Sequence, residues 1–373
     1  MNRLPGLDLL RAIAIVWVML FHSWIVGGLG DPYEAVARYG WMGVDLFFVL
    51  SGYLIGYQLL KPLSRGESPH LGEFYRRRAF RILPAFLVVL AVYALFPSWR
   101  EAPGLQPVWQ FLTFTLNLLI DYEHNAAFSH AWSLCVEEQF YLFFPLLAWL
   151  LTRRPSLAMT VCTCVVVVAA GMLIRSYASL HGKNFLESIY YPTYTRLDGL
   201  LAGVLLAAVQ AYRPGTWAAW QSRANGLALV GLIVTGMAIW LFRDQTAFVP
   251  SVYGYPLLSF GLALLVIAGA GQQSFGRWRV PGAGWIAAAS YSLYLSHKLA
   301  MHAVATVLAS RPAIHGLPAF AIYAVAIFTA GALLYYVVER PFLHLRGRYK
   351  GSDRRQVDQP NTSPGLSGLA RDN

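Results

Sequence analysis

Residues 7–27 have the sequence LDLLRAIAIVWVMLFHSWIVG, a run of 21 residues that three ionisable side chains interrupt. A membrane-spanning helix needs about 20 mostly apolar residues, so this stretch is predicted to cross a bilayer. The three exceptions are Asp8, Arg11 and His22. Ionisable groups inside a membrane are energetically costly, and each of the three is therefore a candidate functional residue.

The composition of the whole chain agrees with a membrane protein. Of its 373 residues, 57% are hydrophobic and 13% are charged, against roughly 25% charged in an average soluble domain. So few charged residues are too few for the surface of a soluble protein of this length. The high content of apolar residues also excludes an intrinsically disordered chain. The net charge of +11 would suggest nucleic-acid binding in a soluble protein, so its location along this chain has to be considered first.

Ten stretches meet the same criterion for a spanning helix. They are residues 7–27, 41–60, 82–98, 134–152, 158–180, 197–212, 225–242, 251–270, 285–307 and 317–338. An eleventh stretch, 107–120, is about 14 residues long and begins at a proline, which suits a re-entrant or interfacial helix better than a span. The predicted fold class is an all-α integral membrane protein with about ten transmembrane helices and one short re-entrant or interfacial helix.

The basic residues predict the orientation, because cytoplasmic loops are enriched in Lys and Arg. With ten spans and the N-terminus inside, 20 of the 29 Lys and Arg residues are cytoplasmic, six are outside and three lie within spans. If residues 107–120 also crossed, every later loop would change sides and the basic C-terminus would lie outside. We therefore expect both termini in the cytoplasm. The positive charge then reports orientation and gives no support for nucleic-acid binding.

The chain is predicted to contain one membrane domain, residues 1–346. Residues 347–373 are rich in Gly, Ser, Pro, Asp and Arg and show no apolar periodicity, so they are predicted to form a disordered cytoplasmic tail. We find no inverted repeat of the kind common in transporters.

Ionisable side chains from four spans are expected to meet at one level, outside the bilayer midplane. They are His22, Asp45, Glu137, Glu138, Arg196 and Asp198. Ion pairs between helices would explain some of them. A carboxylate on one imidazole nitrogen fixes the tautomer and raises the basicity of the other nitrogen. A histidine among carboxylates would therefore suit a general base that takes a proton from a hydroxyl.

Helical spacing relates the residues of the first span to one another. Asp8 and Arg11 are three residues apart and share a face, either as a structural ion pair or as functional groups. Arg11 and His22 also share a face, about 16 Å apart along the axis. His22 could instead be a hydrogen-bonded core histidine.

The fourth span contains two adjacent glutamates. Glu137 shares a face with Tyr141, four residues on, whereas Glu138 points about 100° away around the helix. At most one glutamate is expected to face a site directly, and we retain both as candidates.

A cytoplasmic loop holds four arginines within six residues, namely Arg76, Arg77, Arg78 and Arg81. They could anchor the third span to anionic lipid. They could equally bind phosphate, since guanidinium groups bind phosphate through two parallel hydrogen bonds. Arg78 and Arg81 are three residues apart at the start of a helix and would act together. No Cys/His cluster has metal-ligand spacing, and no metal is predicted.

Seven motifs in order resemble those of the membrane acyltransferase-3 family, across residues 5–342. They are Gly6–Ala12 with Arg11 followed by His22; Gly43–Ile55; Arg78–Pro84; Trp132–Leu142 with Pro145; Arg196–Gly199 with Gly203; Ser290–His297; and Glu339–Pro341. Each motif alone is weak, but seven in the same order make a specific resemblance. Lys298 stands where many relatives have an aromatic residue.

The resemblance implies an O-acyltransferase of the bacterial inner membrane that needs no metal. Such proteins transfer an acyl group, most often acetyl, from cytosolic acyl-CoA to a hydroxyl of a carbohydrate or glycolipid. By family analogy, Arg11 and His22 are the essential pair, and His297 joins the supporting polar residues with Asp8, Tyr141, Arg196 and Asp198.

Roles follow as hypotheses. The four loop arginines would hold the phosphates of acyl-CoA, and Arg11 would guide the pantetheine or polarise the thioester carbonyl. His22, oriented by Asp45 or a glutamate of the fourth span, would deprotonate the acceptor hydroxyl. A covalent acyl-His22 relay is a second route. The alternative function is a permease or flippase for a saccharide or lipid-linked saccharide, which would move solute without acyl transfer.

Overall fold

The computed structural model describes residues 4–25, 33–151, 156–311 and 313–346. Within these ranges the chain is mostly helical, and the β pairing present is an isolated bridge between Leu105 and Ala127. The predicted tail, residues 347–373, lies outside the described residues.

Ten helices in the described ranges have 15 residues or more. They are α1 (Pro5–Ile25), α2 (Met42–Leu63), α3 (Leu71–Leu95), α4 (Trp132–Leu151), α5 (Leu157–Leu180), α6 (Asp198–Tyr212), α7 (Ala224–Leu241), α8 (Tyr255–Ala270), α9 (Ala283–Ala309) and α10 (Gly316–Leu334). Each coincides with one of the ten predicted stretches, which confirms the all-α fold class.

Among the residues that the structure describes, seven helical segments are long and apolar enough to cross a membrane, by length and composition. They are Pro5–Ile25, Glu34–Leu63, Leu71–Leu95, Leu157–Leu180, Ala224–Asp244, Pro250–Ala270 and Gly316–Arg346. The three helices outside this set are α4, α6 and α9. α6 has only 15 residues. The protein is thus an integral membrane protein with seven candidate spans, and the count of ten stays a prediction.

The stretch 107–120 does not form one continuous helix. A five-residue helix, Val108–Leu112, is followed by a 3-10 turn at Leu116–Leu118. Phe114 lies between them at φ 53°, in the left-handed region, which a regular helix cannot accommodate. Phe111 and Leu116 are completely buried, whereas Trp109 and Leu112 are about half exposed, so only one side of this segment packs against the protein interior.

Glycines let α2 pack closely against its neighbours. A Cβ at Gly43 would collide with the carbonyl oxygen of Ala14 in α1, and a Cβ at Gly52 with that of Leu200 in α6. Small residues allow such backbone contact between helices in membranes. α2 is thereby held between α1 and α6, and α1 also packs along α9.

The outer helices expose apolar side chains. Leu173 on α5, Leu232 on α7 and Val325 on α10 are each more than half exposed, whereas most of α2 and α8 is buried. Apolar residues facing outward on helices of spanning length are what contact with lipid chains requires.

Candidate functional site

A cavity of about 410 Å³, within the usual range for ligand sites, lies among α1, α2, α3, α4 and α9. Six arginines line it: Arg11, Arg76, Arg77, Arg78, Arg81 and Arg346. Glu137, Tyr141 and Tyr294 line it as well. The structure therefore brings the predicted arginine cluster together with Arg11, although they are about 65 residues or more apart in sequence.

The arginine cluster lies on a helix, which corrects the prediction of a loop before residue 82. α3 already begins at Leu71, because arginine is a good helix former and the helix continues beyond its apolar part. Arg77 forms an ion pair with Glu73, one turn earlier. The guanidinium of Arg78 lies 4.2 Å from the ring centroid of Tyr141. These contacts fix part of the cluster before any ligand binds.

The two glutamates of α4 have different surroundings. Glu137 faces the cavity, where the Ser51 hydroxyl donates a hydrogen bond of 2.5 Å to its Oε1. Glu138 is not among the residues that line the cavity. This difference agrees with the expectation that at most one of them would face a site. Asp8 lies on the first turn of α1, one turn before Arg11, and does not line the cavity.

A buried ionic group accounts for three of the predicted polar residues. Arg196 donates a hydrogen bond of 2.8 Å to Asp45, and Arg175 donates two, of 2.7 and 3.1 Å, to Asp198. The guanidinium of Arg196 also lies 4.2 Å from the ring centroid of Tyr255. None of these residues lines the cavity.

The expectation that Asp45 orients His22 is therefore wrong. A carboxylate buried in apolar surroundings requires a compensating charge, and Arg196 supplies it. Sequence reasoning missed Arg175, the partner of Asp198, although its position within a span was the available signal.

His22 is accompanied by histidines rather than by the predicted carboxylates. Its Nδ1 lies 3.1 Å from Nε2 of His297 and 3.0 Å from the carbonyl oxygen of Val18. A third ring, His130, lies 4.9 Å from His297 between centroids. His130 lies in the 3-10 turn Ser129–Ala131, just before α4, and was not predicted because this part of the sequence has no apolar periodicity. Among the described residues, no group of His, Cys, Asp and Glu has a metal-binding arrangement.

Tyr294 connects the cavity to the histidines. Its hydroxyl lines the cavity with Ser133, 2.6 Å away, and donates a hydrogen bond of 2.6 Å to the carbonyl of His130. The carbonyl of Tyr294 accepts a hydrogen bond of 2.6 Å from Nδ1 of His297. Tyr294 thus contacts both the arginine-lined cavity and the histidine group.

The residue after His297 ties the segment before α4 to α9. Lys298 lies 3.6 Å from Glu101 and donates a hydrogen bond of 3.3 Å to Ser129. Glu101 in turn accepts from the backbone N–H of Phe128. This ion pair holds the irregular segment that carries His130 against the centre of α9.

Comparison with known proteins finds one matching family model and several relatives. A model described as an acyltransferase domain, Acyl_transf_3, matches residues 4–336. A Staphylococcus aureus (strain COL) protein named "Putative O-acetyltransferase SACOL0978" is 29% identical over 329 residues, covering 80% of this chain and 50% of the relative. O-acetyltransferase OatA of S. aureus (strain NCTC 8325 / PS 47) is 29% identical over 318 residues, with 79% and 50% covered.

This chain spans half the length of these curated relatives. No solved structure matches it. The family model, however, covers nearly the whole described chain and includes α1 to α10. The protein therefore belongs to the membrane acyltransferase-3 family.

Proposed function

We propose that this protein is an O-acyltransferase that moves an acyl group, most readily acetyl, from cytosolic acyl-CoA to a hydroxyl of a carbohydrate or glycolipid. The observation that carries the proposal is the cavity lined by six arginines beside a histidine group. The names of the relatives support acetyl as the transferred group and an oxygen atom as its acceptor.

The cavity suits the donor because coenzyme A carries several phosphates and a long thiol arm. Guanidinium groups bind phosphate oxygens through paired, charge-assisted hydrogen bonds. The α3 arginines are half-buried around a cavity, a position that favours an enclosed ligand over simple anchoring to lipid headgroups. With the basic loops in the cytoplasm, the cavity would open to cytosolic acyl-CoA.

The reaction then joins the two parts of the site. Arg11 guides the pantetheine arm of the donor towards the histidine group, and His22 takes the proton of the acceptor hydroxyl as its oxygen bonds to the acyl carbon. The carbon–sulfur bond breaks, and the leaving thiolate receives the proton from His22, which gives an ester and free coenzyme A. Transfer through an acyl-His22 intermediate would yield the same products by two displacements.

A transfer assay tests this proposal against a permease or flippase. Proteoliposomes are incubated with radiolabelled acetyl-CoA and a panel of glycans and glycolipids, and alkali-labile ester is counted. We expect label in ester with at least one acceptor and release of free coenzyme A. Movement of an acceptor across the bilayer without any ester formation would support the permease and reject the acyltransferase.

A further inference from the structure

The three histidines come from three separate parts of the chain. His22 lies on α1, His130 precedes α4, and His297 lies near the middle of α9. His297 and His130 are buried, and the rings of His22 and His297 are 4.7 Å apart between centroids. A catalytic histidine is commonly backed by a carboxylate, but the hydrogen-bond partners of His22 are a carbonyl and an imidazole.

Backbone carbonyls determine which nitrogen of His297 carries hydrogen. A carbonyl oxygen accepts hydrogen bonds and cannot donate them. The carbonyl of Tyr294 lies 2.6 Å from Nδ1 of His297, so this Nδ1 carries the hydrogen. In a neutral imidazole the other nitrogen is then an acceptor. Nε2 of His297 therefore presents a lone pair to His22.

The neighbours of His22 fix its tautomer in the same way. Its Nδ1 faces two acceptors, the Val18 carbonyl at 3.0 Å and the lone pair of His297 Nε2 at 3.1 Å. Nδ1 of His22 must carry hydrogen to satisfy either of them. Nε2 of His22 is left with the lone pair, which is the form that a general base requires.

We propose that His297 is a positioning residue for acyl transfer, whose Nε2 accepts the Nδ1–H of His22 and steadies the imidazolium that forms when His22 Nε2 takes the acceptor proton. This inference rests on the proposed function. The neutral imidazole does the work of a carboxylate without placing an unpaired negative charge among buried groups, which would be costly. The nearby charge of Lys298 is offset by Glu101 at 3.6 Å.

The first test reads the tautomers directly, without any need for activity. Protein labelled with ¹⁵N-histidine is reconstituted in lipid nanodiscs and studied by NMR, with His22 and His297 assigned from His22→Asn and His297→Asn. We expect both rings to be neutral and protonated at Nδ1. Finding either ring protonated at Nε2 instead would overturn the proposal.

The second test uses two conservative variants of the same residue. His297→Asn keeps a donor for the Tyr294 carbonyl but has no atom at the Nε2 position, whereas His297→Gln places an amide oxygen near it. We expect His297→Asn to lower kcat by about 10- to 100-fold, part of the roughly 10²- to 10⁴-fold that general base catalysis contributes. KM for acetyl-CoA should not change, and His297→Gln should recover much of the rate.

A histidine on the same helix, His302, provides the control. It lies five residues beyond His297 on α9, its side chain is partly exposed, and His302→Gln should retain the wild-type kcat. Equal kcat for His297→Asn and wild type would refute the positioning role even with the expected tautomers. If wild-type protein transfers no acyl group, the proposed function fails and the catalytic use of the pair fails with it, while the NMR spectrum still reports whether the two rings are joined as described.

Discussion

His22 is the residue on which the proposed chemistry depends most. Replacing it with alanine removes the general base while Arg11 and the arginines of α3 remain in place. We expect His22→Ala to lose about 10²- to 10⁴-fold in kcat, the usual contribution of general base catalysis. The measurement is acyl transfer in proteoliposomes that contain equal amounts of folded protein. Activity within a few-fold of wild type would rule out His22 as the base, and His302→Ala serves as the matched control.

The α3 arginines should act on the donor. Arg78 and Arg81 line the cavity, and a hydrogen bond to a charged group contributes about 1.5–3 kcal/mol, equivalent to about 10- to 150-fold in affinity. We expect Arg78→Ala and Arg81→Ala each to raise KM for acetyl-CoA, with less effect on kcat. Arg65→Ala is the control, because Arg65 is basic and exposed but does not line the cavity. Donor kinetics identical to wild type in both cavity variants would contradict a phosphate site.

Asp45 should affect stability rather than chemistry. It is paired with Arg196 out of contact with solvent, and removing one member of a buried ion pair costs about 3–5 kcal/mol. We expect Asp45→Asn to lower the thermal unfolding midpoint clearly. Glu34→Gln should change it little, since the exposed pair of Glu34 and Arg38 contributes at most about 1 kcal/mol. If Asp45→Asn protein were as stable as wild type but had lost acyl transfer, Asp45 would instead have a role in catalysis.

At the scale of helices, the contact between α2 and α6 is the most sensitive to side-chain size. A Cβ at Gly52 would collide with the carbonyl of Leu200, and overpacking of this kind costs about 1–3 kcal/mol. We expect Gly52→Ala to lower the unfolding midpoint, measured by differential scanning fluorimetry in detergent. Gly236→Ala on α7 is the control, because the space beside Gly236 is open. Equal midpoints for the two variants would mean that α2 and α6 lie farther apart.

Element positions could be predicted well because they depend on local sequence. Every apolar stretch chosen by length overlaps a helix. A stretch of about 20 apolar residues that crosses a bilayer must satisfy its backbone hydrogen bonds internally, and a helix does so. The start of α3 at Leu71 was missed, because charged residues that extend a helix into water do not appear in an apolar window. The break in the helix at Phe114 was missed as well, because an apolar run contains no sequence signal for a residue with positive φ.

At the scale of the whole molecule, only part of the candidate site could be predicted from the sequence. The contacts that were missed join residues that are far apart along the chain. The arginine cluster and the pair of Arg11 and His22 could be named as candidates because each is encoded within one segment. Depth in the membrane grouped His22 with Asp45 and Glu137, but the structure places the three in different surroundings, because depth does not say which groups touch. The partner of His22 is 275 residues away, and this contact follows from how α1 packs on α9.

The activity proposed for this site is transfer of an acyl group from acyl-CoA to a hydroxyl. The most direct measurement is mass spectrometry of a glycan or glycolipid acceptor panel after incubation with ¹³C-acetyl-CoA and purified protein in proteoliposomes. Wild-type protein should place labelled acetyl in ester linkage on at least one acceptor, and His22→Ala should not. Absence of labelled ester throughout the panel would rule out the proposed acyl transfer, and equal labelling by wild type and His22→Ala would rule out His22 as its base.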